Sequence, residues 1–422
     1  MTPDAELPVW AREGALPEGS PGWGWVDRKG RRAEVGSFEE LAQVIVKDAG
    51  ARVDLVWTPE ARHCVLPEEI PALLPALRES RIRWARWEIE EGKQQMTVFG
   101  GVFAVMLLWG YYSTGKIVVN ASIGLSLLLF LLLGFFPWYQ GHKRLQRAKK
   151  WAAGEMVVDA EALRFETWLS FQKTPVTRLT FRLLALVGIV QLLVELHVYN
   201  LKHGLEGMDV LRGLWHHVLR FGTIDVSTTV AKAGLTKSGH QATEWWRFLT
   251  GPFLHGHWLH WLMNASALAY LGKRVEAFAR WPHMVLVLVV SMWVGGEASV
   301  HFMAKDSVGI SGGLMGLLGF LMVFESMHRR LVPESSRRRL LAGIVMTGVL
   351  GYVFRNIIDN ACHIGGLLAG MAYALLVFPK SASPHRPRTT SADLVLGGAA
   401  LGLLIASALL ACAKMLMPAG GG

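Results

Sequence analysis

Three short polar clusters interrupt apolar segments in the second half of the chain. They are the histidine-rich run 255–264, the tetrad 309–312 and the run 359–370. Polar groups inside apolar spans are costly, so each cluster needs a functional explanation. A serine and a histidine can act together as nucleophile and base, because the imidazole accepts the hydroxyl proton and later returns it. Ser311 and His363 are therefore candidates for nucleophilic catalysis.

Each cluster also has a purely structural explanation. A Gly-x-Ser-Gly tetrad is short enough to occur by chance. Glycines such as Gly316 and Gly319 could simply let helices approach closely, as small residues do in membranes. A single histidine in a span could hydrogen-bond a neighbouring helix. The choice depends on whether the fold brings the three clusters together.

The composition favours a membrane protein. Of 422 residues, 52% are apolar and only 18% are charged, below the ~25% usual for soluble domains. The net charge of +10 divides into −4 for residues 1–95 and +14 for the rest. Because the basic excess lies in the most apolar part, it fits inside-facing membrane loops rather than a nucleic-acid surface.

The cysteine spacing predicts neither a metal site nor disulfides, and the N-terminus has no targeting pattern. Cys64, Cys362 and Cys412 are far apart and lack metal-ligand spacing, so neither a metal site nor a disulfide framework is expected. No cofactor is expected either. The N-terminus resembles neither a signal peptide nor a transit peptide.

Nine apolar windows approach or reach the ~20 residues that a transmembrane helix needs. They lie at about 96–112, 117–138, 183–198, 258–275, 284–303, 311–325, 340–355, 361–378 and 394–416. The first two windows are separated by four residues and predict a helical hairpin. The segment 207–222 has apolar residues at helical spacing between basic ones, which predicts a helix lying in the membrane interface.

The basic loops predict the orientation. When nine spans alternate, the basic segments within 139–182, 273–280, 329–339 and 380–388 all fall on one side, which the positive-inside rule makes cytoplasmic. The fourth, sixth and eighth spans then begin in the opposite leaflet. This topology brings all three polar clusters to the same membrane depth.

The sequence pattern of residues 1–93 predicts a small soluble α+β domain on the cytoplasmic side. Ser37 and Glu40 have capping-box spacing ahead of an apolar run, which predicts a short helix. Residues 52–57 predict a strand. The domain could bind a cytosolic partner, or it could be a solvated appendage without a chemical role.

The clusters resemble those of the rhomboid family of intramembrane serine proteases, over residues 180–378. The matched positions are Trp246, Arg247, His255, His260, Asn264, Gly272, Glu276, Gly309, Ser311, Gly312, Gly319, His363, Gly366 and Gly370. The expected fold is an all-α polytopic membrane protein with a small N-terminal α+β soluble domain. A six-helix rhomboid core (181–378) would follow the hairpin (96–138) and a basic linker (139–180), and precede one extra C-terminal span and tail (379–422).

The resemblance implies a role for each matched residue. Ser311 would be the nucleophile and His363 its base, while Asn264, His260 and the backbone N–H of Ser311 would stabilise the oxyanion. The matched positions supply no third carboxylate. The expected structural supports are Gly309, Gly312, Gly319, Gly366, Gly370, Arg247 and Glu276.

Two positions depart from the family pattern, and three histidines are not expected to catalyse. Met315 stands where the family commonly has an aromatic residue, and Cys362 stands where it usually has alanine; neither change removes Ser311 or His363. His255 and His257 are expected to stabilise the loop rather than to catalyse. No motif supports a role for His301.

The expected function is hydrolysis of peptide bonds in or near transmembrane segments of other membrane proteins. The protein would be an integral, multi-pass protein of a bacterial cytoplasmic membrane, with its site open to the non-cytoplasmic side. One alternative is a rhomboid-like adaptor that binds transmembrane helices without cleaving them. The other is a transporter, since intramembrane histidines and glycine-broken helices also mark substrate pathways, although no inverted repeat is visible.

Overall fold

The chain folds into two units that divide between Phe171 and Gln172. A computed structural model describes residues 6–47, 53–60, 63–115, 126–127, 129–150, 160–204, 209, 227–237, 244–353, 355 and 358–417. The first unit is Glu13–Phe171, and the second joins Gln172–Gly422 to Met1–Arg12. The division falls within the linker expected at 139–180, and residues 6–12 pack with the second unit.

The first unit begins with a three-stranded antiparallel sheet and one helix. Strand β1 (Trp23–Val26) lies between β2 (Arg32–Val35) and β3 (Leu55–Trp57), and helix α1 (Phe38–Lys47) follows β2. Leu41 and Ile45 of α1 pack into an apolar core that also contains Val56 and Leu73. The predicted α+β domain is confirmed.

Helix α1 begins where the capping residues predicted it. The Ser37 hydroxyl accepts the Glu40 backbone N–H at 3.2 Å. The Glu40 carboxylate accepts the backbone N–H of Gly36, at 2.7 Å, one residue earlier than in a standard capping box.

The rest of the first unit is a helical hairpin. Helix α2 (Leu74–Thr114) packs against a π-helical turn (Phe130–Phe135) and against α3 (Phe136–Lys150), which is followed by α4 (Ala160–Phe171). Gly92 lies against Trp138, Gly134 against Met96, and Gly141 against Ile89. Residue numbers rise on one helix as they fall on the other, so the two helices are antiparallel. The predicted hairpin is confirmed.

The described residues of the second unit form eight α-helices. They are α5 (Pro175–His203), α6 (Ser227–Ala233), α7 (Arg247–Thr250), α8 (Trp258–Phe302), α9 (Ser311–Met327), α10 (Glu334–Val353), α11 (Asn360–Val377) and α12 (Ser391–Leu416). Helix α8 is two helices joined at Arg280, whose φ of 72° is left-handed. The Met284 side chain lies against Gly272, so the first arm (258–279) and the second arm (281–302) form a hairpin.

The protein is an integral, multi-pass membrane protein. Within the described residues, five helices are long and apolar enough to cross a membrane, and α9 and the end of α10 are shorter apolar helices. The 45-residue helix α8 contains the predicted fourth and fifth spans. The six predicted spans of the core and the extra C-terminal span therefore each have a helix. Much of the predicted second span, and all of the interfacial helix predicted at 207–222 except residue 209, lie outside the described residues.

The basic loops of the second unit gather at one end. Arg386 donates to the Ala277 carbonyl at 2.9 Å, and Ser381 donates to the Met327 carbonyl at 3.3 Å. Trp10, which is buried, donates to the Leu331 carbonyl at 2.8 Å. The first two bonds link loop 380–388 to loop 273–280 and to the end of α9 just before loop 329–339, and the third links Trp10 to loop 329–339. Ser311 begins α9 at the opposite end.

Near that basic end, Glu276 ties α8 to the start of α5. Its carboxylate accepts the backbone N–H groups of Val176 and Thr177, at 3.1 and 2.8 Å, and the Thr177 hydroxyl at 2.7 Å. The first N–H groups of a helix have no partner within the helix, and a carboxylate there is also favoured by the helix dipole. Glu276 therefore acts as the cap of α5.

A buried ion pair joins the first arm of α8 to α9. Arg274 donates from Nε and Nη2 to the Glu325 carboxylate at 2.5 and 3.0 Å, and neither side chain is exposed. Removing one partner of such a pair leaves a buried charge and costs about 3–5 kcal/mol. We expect Arg274→Met to lower the free energy of unfolding by about that amount, measured by reversible unfolding in detergent micelles.

Arg338→Met is the matched control, because Arg338 pairs with Glu334 in an exposed position. Exposed pairs contribute about 1 kcal/mol at most, so this variant should unfold almost like the parent. The double variant Arg274→Met/Glu325→Leu should recover much of the loss. An unchanged stability of Arg274→Met would contradict this account of the buried pair.

Candidate active site

Ser311 and His363 meet where α9 and α11 begin. His363 Nε2 lies 2.8 Å from Ser311 Oγ, a hydrogen-bond distance. Ser311 is the first residue of α9, and His363 is in the first turn of α11. Both side chains are half-buried. The hydroxyl can donate to Nε2 only if the imidazole is neutral there, and that is the form that a general base requires.

The turn before Ser311 is held by backbone hydrogen bonds. Gly309 has a φ of 111°, a conformation that side chains with a Cβ rarely adopt. Its N–H donates to the Gly251 carbonyl at 3.2 Å, and Ser307 pairs with Leu235 through two backbone bonds of 3.0 and 3.1 Å. The chain therefore reverses tightly and starts α9 with Ser311 at a fixed position.

Glycines bring α9 and α11 into backbone contact. A Cβ built on Gly366 would lie 2.0 Å from the Gly312 carbonyl oxygen, and one on Gly370 would lie 1.9 Å from that of Gly316. A Cβ on Gly319 would lie 2.3 Å from the Leu367 carbonyl oxygen. Small residues spaced four apart permit such an approach in membranes. The short distance between Ser311 and His363 depends on this contact.

A polar group that sequence reasoning did not assign caps α11. The Asp359 carboxylate accepts the Cys362 backbone N–H at 2.9 Å and also accepts the Ser299 hydroxyl. Lys237 donates to Ser299 Oγ at 2.6 Å and lies 3.9 Å from Asp359. Burial lowers the pKa of Lys237, and the nearby Asp359 carboxylate opposes that shift. The loop residue Lys237 thus helps to fix the helix that carries His363.

Asn264 and His260 lie beside the turn that precedes Ser311. A Cβ built on Gly309 would lie 2.7 Å from the His260 ring and 3.3 Å from Asn264 Nδ2. Asn264 Nδ2 also lies 2.9 Å from His255 Nε2. The structure therefore places both predicted oxyanion donors within the same small region as Ser311.

Arg247 anchors the loop that leads to these donors. Its guanidinium donates to the carbonyls of Gly234 and Ala231 at 2.8 and 2.9 Å, and to the Glu244 carboxylate at 2.7 and 3.2 Å. The side chain is only 9% exposed. These bonds tie α6 to α7 and suit a structural rather than a substrate-binding role.

The structure also places His257, His301, Met315 and Cys362, which the sequence analysis discussed separately. His257 caps α8 by accepting the Leu259 N–H at 3.0 Å, whereas His301 is exposed and bonds the Glu297 carbonyl. Met315 is half-buried one turn after Ser311. The Cys362 sulfur packs on Gly312: a Cβ built there would lie 2.6 Å from it.

The arrangement can perform acyl transfer. It combines a hydroxyl nucleophile, an imidazole base in direct contact, and polar groups beside a helix N-terminus, where negative charge is favoured. Among the described residues, no group of three or more His, Cys, Asp or Glu side chains could hold a metal ion. Fold and site define a polytopic membrane protein with a serine–histidine pair between glycine-packed helices.

Part of the chain is similar to a known protein family. Residues 242–380 match the family model described as the Rhomboid domain. The rhomboid protease GluP of Bacillus subtilis is 32% identical over 161 residues, which are 38% of this chain and 32% of that protein. Over these residues the chain is similar to the rhomboid family.

Two further relatives show how far the similarity extends. RHOMBOID-like protein 6, mitochondrial, of Arabidopsis thaliana is 32% identical over 161 residues, 37% of this chain and 52% of that protein. The rhomboid protease GlpG of Haemophilus influenzae is 26% identical over 138 residues, 32% of this chain and 71% of that protein. The chain thus spans about a third to a half of the length of GluP and of the plant protein.

The glycine contact leads to a testable expectation. Gly370→Ala places a methyl group 1.9 Å from the Gly316 carbonyl oxygen, so α11 must move away from α9. A displacement of about 1 Å at reacting groups can lower the rate about 100-fold. We expect the rate at which a fluorophosphonate labels Ser311 to fall by about that factor.

Gly348→Ala is the matched control, because a Cβ at Gly348 of α10 meets nothing within 4 Å. Its labelling rate should equal that of the parent. If Gly370→Ala labels at the parental rate, the helix contact does not control the Ser311–His363 distance.

Proposed function

We propose that this protein is an intramembrane serine protease in which Ser311 and His363 form the catalytic dyad. The observation that carries the proposal is the 2.8 Å contact between Ser311 Oγ and His363 Nε2 at the start of two packed helices. Similarity to the rhomboid family supports it, because residues 242–380 match the Rhomboid domain and relatives such as GluP and GlpG are named rhomboid proteases. The neighbouring Asn264 and His260 supply the second requirement, a site for the oxyanion.

The dyad would cleave a peptide bond in two steps. Ser311 Oγ bonds to the scissile carbonyl carbon while its proton passes to His363 Nε2, and the carbonyl oxygen becomes negative. Asn264, His260 and the Ser311 backbone N–H stabilise that oxygen. The carbon–nitrogen bond then breaks and His363 returns the proton to the leaving amine. Water attacks the acyl-enzyme by the same route and regenerates Ser311.

The substrates would be membrane proteins cleaved in or near a transmembrane segment. A transmembrane helix satisfies its own backbone hydrogen bonds, so the segment must unwind locally before its carbonyl can reach Ser311. Ser311 begins α9 at the end away from the basic loops. A site near one membrane surface would give water and an unwound segment access.

We also propose that the active site opens on the non-cytoplasmic side. The basic loops at 273–280, 329–339 and 380–388 lie at the opposite end of the second unit, and basic loops favour the cytoplasm. The N-terminal α+β domain would then be cytoplasmic.

The dyad can be tested by substitution in detergent-solubilised or reconstituted protein. Ser311→Ala removes the nucleophile and His363→Ala removes the base. Each should lower cleavage of a model transmembrane substrate by more than about 10³-fold. Only Ser311→Ala must abolish fluorophosphonate labelling. Products are measured by gel and by mass spectrometry of the cleaved ends.

His301→Ala is the control, because this exposed histidine bonds the Glu297 carbonyl of its own helix and lies outside the matched motif. It should cleave like the parent. Cleavage that persists in Ser311→Ala would reject the protease. A folded parent that binds transmembrane segments but neither cleaves nor labels would support the adaptor alternative.

A further inference from the structure

A buried polar cluster of α5 and α6 is linked by hydrogen bonds, through His255, to the proposed oxyanion donor Asn264. It consists of Gln191 and Glu195, which are four residues apart on one face of α5, and Thr229 of α6. All three side chains are at most 5% exposed. Gln191 Nε2 donates to Glu195 at 2.7 Å and approaches Thr229 Oγ1 at 3.3 Å. Thr229 donates to Glu195 at 2.8 Å.

The Gln191 side chain holds one residue of the active-site loop by both backbone groups. Its Oε1 accepts the His255 N–H at 2.9 Å, and its Nε2 donates to the His255 carbonyl at 2.8 Å. This is the pairing that a neighbouring β-strand would provide. Buried amides must be hydrogen-bonded, and a satisfied network is rigid because breaking any member leaves a desolvated polar group. The loop is therefore fixed to α5 at His255.

The His255 ring carries this constraint to Asn264. Asn264 Nδ2 lies 2.9 Å from His255 Nε2, and His255 Nδ1 lies 3.2 Å from the Phe253 carbonyl. An amide nitrogen can only donate, so Nε2 must accept; Nδ1 then carries the proton and donates to Phe253. One tautomer satisfies both contacts. With one N–H of Asn264 held by His255, the other has a defined direction.

We propose that Gln191 is a positioning residue for the oxyanion site. Its side chain fixes His255, and His255 fixes the amide of Asn264 so that the free N–H points to the developing charge. The role rests on the proposed protease function. It gives a purpose to a glutamine and a glutamate that an apolar span would otherwise carry at a cost.

The test compares Gln191→Met with the parent in steady-state cleavage of a model transmembrane substrate. Methionine matches the length of glutamine but cannot hold His255. Loss of one oxyanion donor typically costs about 10²–10³ in kcat, so a misaligned donor should cost about tenfold, with KM unchanged. If Gln191→Met folds poorly, Gln191→Asn replaces it in the test. This variant keeps the amide but is one methylene shorter, so it should lose kcat to a similar extent.

Thr180→Val is the matched control. Thr180 lies fully buried in the same helix and donates to the Val176 carbonyl at 2.9 Å, at the end remote from His255. Thr180→Val removes this hydrogen bond, so it should lower the unfolding temperature without changing kcat. A Gln191 variant that loses stability but keeps kcat would overturn the positioning role.

A double-mutant cycle separates positioning from general damage. If Gln191 acts through Asn264, then Gln191→Met should lower kcat little further in an Asn264→Ala background. Equal losses in both backgrounds would overturn the proposal and leave the dyad intact. A parent that neither labels at Ser311 nor cleaves would overturn both the proposed function and this role.

Discussion

The contact between α9 and α11 is the constraint on which the rest of the site depends. Ser311 and His363 lie on different helices, and their 2.8 Å contact exists only because two glycine pairs let the backbones touch. In a membrane the hydrophobic effect does not drive helices together, so close packing and internal polar bonds must do so. Glycines at 312, 316, 366 and 370 provide the packing. The proposed dyad has no third carboxylate among the matched positions, so packing must orient the imidazole of His363.

Polar side chains around Ser311 and His363 also hold the helices and loops of the site in fixed positions. Asp359 fixes the start of α11, Arg247 and Lys237 fix the loop around α6 and α7, and Gln191 fixes His255. Each is a buried or half-buried side chain that satisfies backbone groups which would otherwise be unpaired. In a low-dielectric interior such bonds are strong when complete and costly when broken. The active site is thus surrounded by bonds that hold loops rather than by additional catalytic groups.

The sequence predicted the elements and singled out Ser311 and His363 because both have local signals. Apolar windows, basic loops and the Gly-x-Ser-Gly tetrad can be recognised along the chain, and the structure brings Ser311 to His363 as expected. The sequence did not predict the partners of those residues. Gln191 and Glu195 stood in an apolar span, which was a signal for a function, but nothing local showed that they would reach His255. Lys237 and Ser299 meet Asp359 only through the tertiary fold.

The contact made by Trp10 was not predicted, for a related reason. Trp10 was assigned to the soluble domain, yet its indole bonds the Leu331 carbonyl, a partner 321 residues away. No local pattern encodes such a contact. The boundaries expected for the five segments of the chain remain predictions.

The most direct test of the central claim is an experimental structure of the protein after reaction with a fluorophosphonate. We expect a covalent bond from the phosphorus to Ser311 Oγ, with the phosphoryl oxygen within hydrogen-bond distance of Asn264 Nδ2 and of the Ser311 backbone N–H. An adduct on another residue would contradict the assignment of the nucleophile. An adduct on Ser311 whose oxygen points away from Asn264 would contradict the oxyanion site.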